Sequence, residues 1–435
     1  MSPPTPSDQA GARYGERTAG RHGWAQAVVA VLAGLIVMGV VAALGLWAAG
    51  AMDLPDNAFP RVVAATVVTA VGGTVVFSGD AGVIADSQAG LTVIPLSVTL
   101  AGALVFAAGF LRPLRHRAVA GAPELAGWAA RIAVLWVPAL AGLAWFARQD
   151  FKISLGNGTI GAIGDLFGTT PKAGFKADVP QTLGFGLLWL AGVFVLALLV
   201  SPGAPLPARL LRFQESVRPA AYAMVALLLA CVAVGLVIGL VTAASRGHVP
   251  ETFAVLLLGL PNLVWLGFTI GLGATWHGRV DGPFGLPMPH LLDRVLRTPD
   301  VSTLNLRSLG DYDGKLWWLV LVDAVLLLGA AFLMAARSPA RMRAWQHAAH
   351  MAVALALTVL MICLVGRVSA HYGLSILGFG DVGGGLKGEL FLKPQVWSAL
   401  GFAVLWGLVT GFLGGLLAKR VRRKGEVKPT APEGR

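Results

Sequence analysis

The chain contains 435 residues, of which 56% are hydrophobic and 13% are charged, and its formal net charge is +12. Soluble domains carry about 25% charged residues, so this composition excludes a soluble globular protein, and we predict no nucleic-acid partner. Several runs of eighteen or more apolar residues predict an all-α polytopic membrane protein. Hydrocarbon offers no hydrogen-bond partners, so each run must close its backbone hydrogen bonds internally, as a helix.

The apolar runs predict about ten helical segments in chain order. Nine are strong and fall at about 25–48, 95–111, 126–147, 182–201, 219–244, 252–275, 316–336, 347–366 and 396–418. A weaker one covers 61–77. The first run has about 24 residues and exceeds the apolar core of a secretory signal, which has about 7–15 residues, so we predict an uncut first helix.

Basic residues predict which side of the membrane each loop occupies, because cytoplasmic loops retain Lys and Arg. Five basic segments hold 19 Lys and Arg residues against six acidic residues, whereas the remaining loops hold 14 basic and 15 acidic residues. An excess of Arg over Lys, 25 to 9, is typical of a high-GC bacterial genome. We therefore predict a bacterial plasma-membrane protein with cytoplasmic N- and C-termini. The basic segments lie at residues 1–24, 112–124, 202–218, 337–343 and 419–435.

If the basic segments are all cytoplasmic, an even number of crossings must separate each from the next. Two runs, 61–77 and 252–275, are then surplus, one in each half. Proline removes a backbone donor and paired glycines weaken a helix, so both runs are predicted to dip in from outside and return. The alternative is ten full crossings with some basic loops outside. The candidate helix breaks are Gly72 and Gly73 in the first run and Pro261 and Asn262 in the second.

The two halves of the chain show the same order of elements. LGFGLLW at 183–189 and LGFAVLW at 400–406 open the last run of each half. An even number of crossings per half predicts two parallel repeats. The repeats cover 25–201 and 219–418, with a cytoplasmic tail at 1–24, a cytoplasmic linker at 202–218 and a basic cytoplasmic tail at 419–435. Two alternatives stay open for the outer polar stretches, which either pack together as a cap or form solvated turns, and they lie at 74–92, 150–181, 276–315 and 369–394.

Several long strings resemble the streptophobe family of actinobacterial multi-span membrane proteins. They include FSGDAG (77–82), ARLLRFQESVRPAAYAM (208–224), WHGRVDGPFGLPMP (276–289) and RSPARMRAWQHA (337–348), within a resemblance over about 24–424. The family has no assigned activity, so the resemblance implies location and lineage rather than mechanism. LPNLVW (260–265) also resembles an actinobacterial membrane family linked with cell division and envelope maintenance.

Asp323, in the middle of LWWLVLVDAVLLLG, is the candidate intramembrane functional residue. A carboxylate at this depth costs about 2.5–3.5 kcal/mol on insertion scales, so such residues are functional candidates by default. The alternative is a protonated acid bonded to a neighbouring backbone or hydroxyl group. GNGTIG (156–161) fits GxGxxG but lies between spans, so no cofactor is predicted. His347 and His350 lack a nearby acid, so no metal site is predicted.

No catalytic motif rises above chance, so we do not predict an enzyme. The absence of convergent intramembrane ionisable residues favours a non-enzymatic envelope or partner-binding membrane component, with its molecular activity unknown. The alternative is a secondary transporter with a site between the two repeats near the interrupted helices, as duplicated transporters have. The predicted partners are the lipid bilayer and membrane or envelope proteins, and the identity of a small-molecule substrate stays open.

Overall fold

Long apolar helices dominate the part of the chain that the computed structural model describes. In the described part of the chain, nine helices are long and apolar enough to cross a membrane. The prediction of a helical, polytopic membrane protein is therefore confirmed. The described residues are 6–80, 85–114, 122–152, 172–201, 208–247, 249–281, 295–297, 301–311, 314–339, 341–376 and 388–420.

Eleven α-helices follow one another along the described ranges. α2 has 12 residues and rises about 18 Å, which is less than the hydrocarbon thickness of about 30 Å. α8 is shorter still, and the other nine are the long apolar helices. The bounds are α1 (Pro6–Ala48), α2 (Phe59–Ala70), α3 (Leu96–Leu111), α4 (Ala122–Phe146), α5 (Val179–Val200), α6 (Ala208–Arg246), α7 (Val249–Gly271), α8 (Leu306–Gly310), α9 (Trp318–Arg337), α10 (Ala344–Val365) and α11 (Val396–Leu417).

An antiparallel sheet of eight strands accompanies the helices, in the order β3-β4-β1-β2-β7-β8-β5-β6. Its strands come from the outer polar stretches, so of the two alternatives the described residues show the one in which these stretches pack together. That they do so as strands was not predicted, because the segments are short and rich in glycine. The strands are β1 (Val75–Asp80), β2 (Ala85–Thr92), β3 (Arg148–Lys152), β4 (Lys172–Ala177), β5 (Trp276–Val280), β6 (Ser302–Leu304), β7 (Val368–Ile376) and β8 (Gly388–Pro394).

The sheet lies at one end of the helix bundle. β1, β3, β5 and β7 follow the last residues of α2, α4, α7 and α10, whereas β2, β4 and β8 lead directly into α3, α5 and α11. This end is called the sheet end below. Basic residues mark the other end, called the basic end, where Arg112 follows α3, Arg337 closes α9, Arg343 precedes α10 and Lys419 follows α11.

α2 begins and ends beside strands of the sheet, and α7 ends beside β5. Arg61, near the start of α2, donates to the carbonyl oxygen of Arg148 in β3 at 3.3 Å, and α2 ends next to β1. Arg218 in α6 donates to the carbonyl oxygen of Ser201 after α5, so this part of α6 lies at the basic end. Two residues separate the end of α6 from the start of α7, and α7 finishes next to β5.

The strand order of the first half, β3-β4-β1-β2, recurs in the second half as β7-β8-β5-β6. The hydrogen bond that closes the central strand pair recurs with it. The N–H of Asp178 donates to the carbonyl oxygen of Thr74 at 3.0 Å, and the N–H of Gln395 donates to that of Thr275 at 2.8 Å. β2 and β7 pair antiparallel and join the two halves into one sheet.

Each half has its own apolar core. In the first, the fully buried ring of Trp136 lies 5.0 Å from Phe106 and 6.0 Å from Trp189, measured between ring centroids. The second core forms around buried residues of α9, α10 and α11, such as Leu327 and Leu355. Such aromatic and aliphatic packing fixes the helices that carry the shared sheet.

Candidate functional site

Gly72 and Gly73 lie at the end of α2. Gly72 has φ 91°, a left-handed conformation that glycine adopts without steric strain. Its N–H donates to the carbonyl oxygen of Thr69, and that of Gly73 donates to the carbonyl oxygen of Val68, both at 3.0 Å. These two bonds form a Schellman motif, which satisfies carbonyl groups that the helix end leaves free.

The end of α7 repeats this geometry. Gly273 has φ 104°, its N–H donates to Ile270 at 2.9 Å, and the N–H of Ala274 donates to Thr269 at 2.9 Å. A proline stands twelve residues before each left-handed glycine, Pro60 in α2 and Pro261 in α7. α2 thus corresponds in position to the last part of α7, and the turns of α7 before Pro261 have no α-helical counterpart directly before α2, where two short 3-10 helices, Ala51–Asp53 and Pro55–Asn57, stand instead.

The repeated heptapeptide packs against these two helix ends. A methyl group added to Gly72 would lie 3.1 Å from Cβ of Phe185, the phenylalanine of LGFGLLW. A methyl group added to Gly273 would lie 3.3 Å from the ring of Phe402, the phenylalanine of LGFAVLW. The shared sequence therefore has a shared structural position, over the end of the interrupted segment in each half.

Pro261 and Asn262 do not end a helix, and the predicted break at this point is corrected. α7 continues from Val249 to Gly271 with Pro261 inside it. The interruption is limited to one turn, where Ser97 of α3 enters the hydrogen-bond ladder. Its hydroxyl donates to the carbonyl oxygen of Leu256 at 2.9 Å and accepts from the N–H of Leu260 at 3.2 Å, two groups that would otherwise pair within the helix.

Asn262 joins the two halves beside this opened turn. Its Nδ2 donates to the carbonyl oxygen of Ile94 at 2.9 Å, and its Oδ1 accepts from the N–H of Leu96 at 3.1 Å. Ile94 lies in the link between β2 and α3, and Leu96 is the first residue of α3, so both belong to the first half of the chain. Together with Ser97, Asn262 attaches the start of α3 to the middle of α7, and we call these contacts the α3–α7 clamp.

A cavity of about 400 Å³ lies next to the α3–α7 clamp, between the two halves and at the sheet end. Its volume is within the range of about 300–1,000 Å³ typical of small-molecule sites. The first half contributes Leu46, Thr66, Thr69 and residues 93–96. The second half contributes mainly one side of α7 together with the end of α10 and parts of β5, β7 and β8: Ala254, Val255, Leu258, Gly259, Asn262, Leu263, Trp265, Leu266, Trp276, Val280, Leu296, Ile362, Gly366, Val368, Leu390, Phe391 and Leu392.

The described lining of the cavity contains no charged side chain, and its polar side chains already have partners. Thr66 and Thr69 donate to carbonyl oxygens of their own helix at 2.8 and 3.0 Å. Trp265 donates to the carbonyl oxygen of Leu228 at 3.3 Å, and Trp276 donates to Oγ1 of Thr269 at 3.0 Å. Asn262 uses both of its amide atoms in the clamp. The described walls therefore suit an apolar ligand and offer no charged group to an ion.

Asp323 is not among the described residues that line the cavity, because it lies on the other side of α7. Only 3% of the residue is exposed, and no described group hydrogen-bonds with its Oδ2 atom. The carboxyl group packs against the backbone of Gly271, the last residue of α7, where an added methyl group would overlap with Oδ2. The structure thus brings Asp323 to α7 but separates it from Pro261 and Asn262.

The structure assigns no functional site to the other residues that the sequence singled out. His347 is fully buried at the start of α10, and the described residues contain no group of three His, Cys, Asp or Glu side chains suited to a metal ion. GNGTIG (156–161) lies outside the described residues. Sequence reasoning missed Ser97 and Thr99 of α3, because a hydroxyl group in an apolar run gives no signal of its long-range partner.

Comparison with known proteins adds no relative from which a site could be transferred. No protein-family model, curated protein or solved structure gives a significant match to the chain.

Proposed function

We propose that the protein is a non-enzymatic component of a bacterial envelope that holds an acyl chain of a membrane lipid in the cavity between its halves. The observation that carries this proposal is the cavity lining. Apolar side chains surround a volume of about 400 Å³, and the described polar side chains among them have partners inside the protein. A polar ligand would lose its hydrogen bonds to water there, whereas an acyl chain has none to lose.

The surroundings of the cavity suit a ligand that arrives from the bilayer. Val255, Leu258 and Leu263 line the cavity and remain partly exposed, so the cavity is open on the side of α7. Nearby positions on α1 and α7 carry large exposed apolar side chains, Leu44 at 46% and Phe253 at 38% exposure. Apolar surface of this kind on a long membrane helix faces lipid, so the entrance lies beside acyl chains.

In this proposal eight long helices cross the bilayer, whereas α2 and α7 enter and leave at the sheet end. Each half then crosses four times, every basic segment lies in the cytoplasm with both termini, and the sheet is extracytoplasmic. The recurring strand order and the matched ends of α2 and α7 support two parallel repeats, 25–201 and 219–418. The resemblance to streptophobes favours an actinobacterial plasma membrane.

Gly259 offers a direct test, because it lines the cavity and a Cβ atom there has only Oδ1 of Asn262 within 4.0 Å. Gly259→Leu should fill the cavity without disturbing the packing of α7. The matched control is Gly329→Leu on the exposed face of α9, where an added Cβ has nothing within 4 Å. Native mass spectrometry of the full chain after extensive detergent washing should detect a retained lipid in the wild type and the control.

Gly259→Leu should lose that lipid and remain folded. Equal retention of the same lipid by Gly259→Leu and Gly329→Leu would show that the lipid binds elsewhere. A wild-type protein that retains no lipid after washing, while a soluble apolar molecule co-purifies, would refute the lipid as the ligand but leave the cavity as the site.

A second candidate is a secondary transporter, favoured by the position of the cavity between the halves, with both α2 and α7 in its lining. The lining favours an apolar or amphiphilic substrate over an ion. In proteoliposomes, a transporter should move a labelled lipid between leaflets faster than in protein-free liposomes, and Gly259→Leu should abolish the difference. Equal rates with and without the wild-type protein would leave the lipid-holding role and reject transport of that lipid.

A further inference from the structure

The surroundings of Asp323 do not satisfy the hydrogen-bonding needs of an ionised carboxylate. A carboxylate only accepts hydrogen bonds, and its Oδ2 atom is buried with no described donor in reach. The carboxyl group lies against Gly271, the last residue of α7. The last turn of a helix presents carbonyl groups rather than N–H groups, and it carries the negative end of the helix dipole. An anion is therefore disfavoured here by burial, by the lack of donors and by the dipole.

The first half shows which group belongs at this position. Ala70 is the last residue of α2, as Gly271 is of α7, and each stands two residues before a left-handed glycine. The hydroxyl group of Thr99, near the start of α3, donates to the carbonyl oxygen of Ala70 at 2.6 Å. Asp323, near the start of α9, lies against the corresponding residue of the second half. In the first half, a hydrogen-bond donor is thus directed at the end of the helix. Asp323 takes the place of that donor in the second half.

We propose that Asp323 is a proton-binding site, at which the protonated carboxyl group donates a hydrogen bond to a carbonyl oxygen at the end of α7. Asp323 takes this proton from water. Its loss leaves a buried anion beside the negative end of α7, so the end of α7 and the start of α9 separate until water or a proton reaches the carboxylate. This inference is independent of the lipid, since it concerns the side of α7 that faces α9.

Few other groups titrate near Asp323. Across the facing parts of the neighbouring helices, α7 and α11 carry no titratable side chain, and α6 contributes the buried thiol of Cys231. On α10, His347 and His350 lie near its basic end and the buried thiol of Cys363 lies near its sheet end. Lys315 precedes α9 at the sheet end. None of these is a second carboxyl group, so a protonated carboxyl in this region identifies Asp323.

Infrared spectroscopy of the full chain in lipid tests the proton directly. At neutral pH the wild type should show a protonated-carboxyl band that is absent from Asp323→Asn. The second measurement compares the wild type with Asp323→Thr, which restores the donor found in the first half. Between the pH at which a solvent-exposed aspartate ionises and the pH at which Asp323 loses its proton in the closed fold, the rate at which the buried native thiols are alkylated in the wild type, relative to Asp323→Thr, should rise about tenfold per pH unit and then level off.

Absence of the protonated-carboxyl band from the wild type at neutral pH would overturn the proposal, and this measurement needs no variant to fold. A constant ratio of alkylation rates between the wild type and Asp323→Thr would also overturn it. If the wild type lacks the band and its thiols are instead protected by added Na⁺ or K⁺ at fixed pH, the site binds a cation and the proton assignment is wrong.

Discussion

Replacing Asn262 by leucine should loosen the contact between the two halves, because it removes both side-chain bonds of the α3–α7 clamp. The bonds to Ile94 and Leu96 measure 2.9 and 3.1 Å. Neutral hydrogen bonds contribute about 0.5–1.5 kcal/mol each, and those between membrane helices average about 0.6 kcal/mol. The N–H of Leu96 and the carbonyl of Ile94 then stay without a partner unless water enters from the cavity. We expect a loss of about 1–3 kcal/mol in the free energy of unfolding.

The two native cysteines provide the assay. Cys231 and Cys363 are buried, so their alkylation by a thiol reagent reports on opening of the fold. A loss of about 1–3 kcal/mol should speed alkylation of Asn262→Leu about 5- to 150-fold, since 1.4 kcal/mol corresponds to a factor of ten. Thr66→Val is the matched control, because Thr66 also lines the cavity but bonds only within its own helix, to Val62 at 2.8 Å. If Asn262→Leu and Thr66→Val label at the same rate, the clamp does not hold the halves together.

Two further predictions concern the interrupted segments. Cysteines placed at Ser245, at the end of α6, and at Thr303, in β6, flank α7 and should both react with an impermeant reagent from outside the cell; labelling from opposite sides would mean that α7 crosses completely. Gly72→Ala and Gly273→Ala should each lower the free energy of unfolding by about 1–3 kcal/mol, because both glycines have a left-handed φ and a phenylalanine within 3.3 Å of the added methyl group. Gly401→Ala, on an exposed helix face with nothing within 4 Å, should be neutral or stabilising in the same thermal-unfolding assay, and an equal loss there would refute the argument from φ.

The sequence predicted the helices well, because an apolar run long enough to span a bilayer has few other structures open to it. The sheet was not predictable in the same way. Strands such as β1 (VVFSGD) and β2 (ADSQAGLT) are short, contain glycine and lack a clear alternation, and their partners lie far along the chain, as in the pairing of β2 with β7. Long-range pairing supplies what local propensity does not.

The candidate site was predictable only in part, for a related reason. Proline at position 261 indicated a disturbed helix, yet its consequence depends on Ser97, whose hydroxyl group bridges Leu256 and Leu260 from another helix. Without that partner the sequence favours a helix end, whereas with it the helix continues. Asp323 gave a signal because a charge in an apolar run is rare, but Thr99 gave none, since a threonine in such a run is common.

The differences between the two halves now indicate where a function would lie. In the proposed duplication, the strand order and the helix ends are shared, so these features belong to the scaffold. The second half departs from the first along α7: it adds the turns before Pro261, which line the cavity, and it has Asn262 where the first half has Arg61.

It also has Asp323 at the end of the interrupted segment, where the first half has Thr99. A scaffold alone would need none of these changes, because the first half forms the corresponding contacts with a shorter helix and a hydroxyl group. We therefore expect substitutions on the cavity and α9 sides of α7 to affect function more than destabilising substitutions at the end of α2. Growth under envelope stress compares Gly259→Leu, which should leave the fold intact, with Gly72→Ala, which should destabilise it. A stronger defect for Gly72→Ala would place the functional requirement in the scaffold instead.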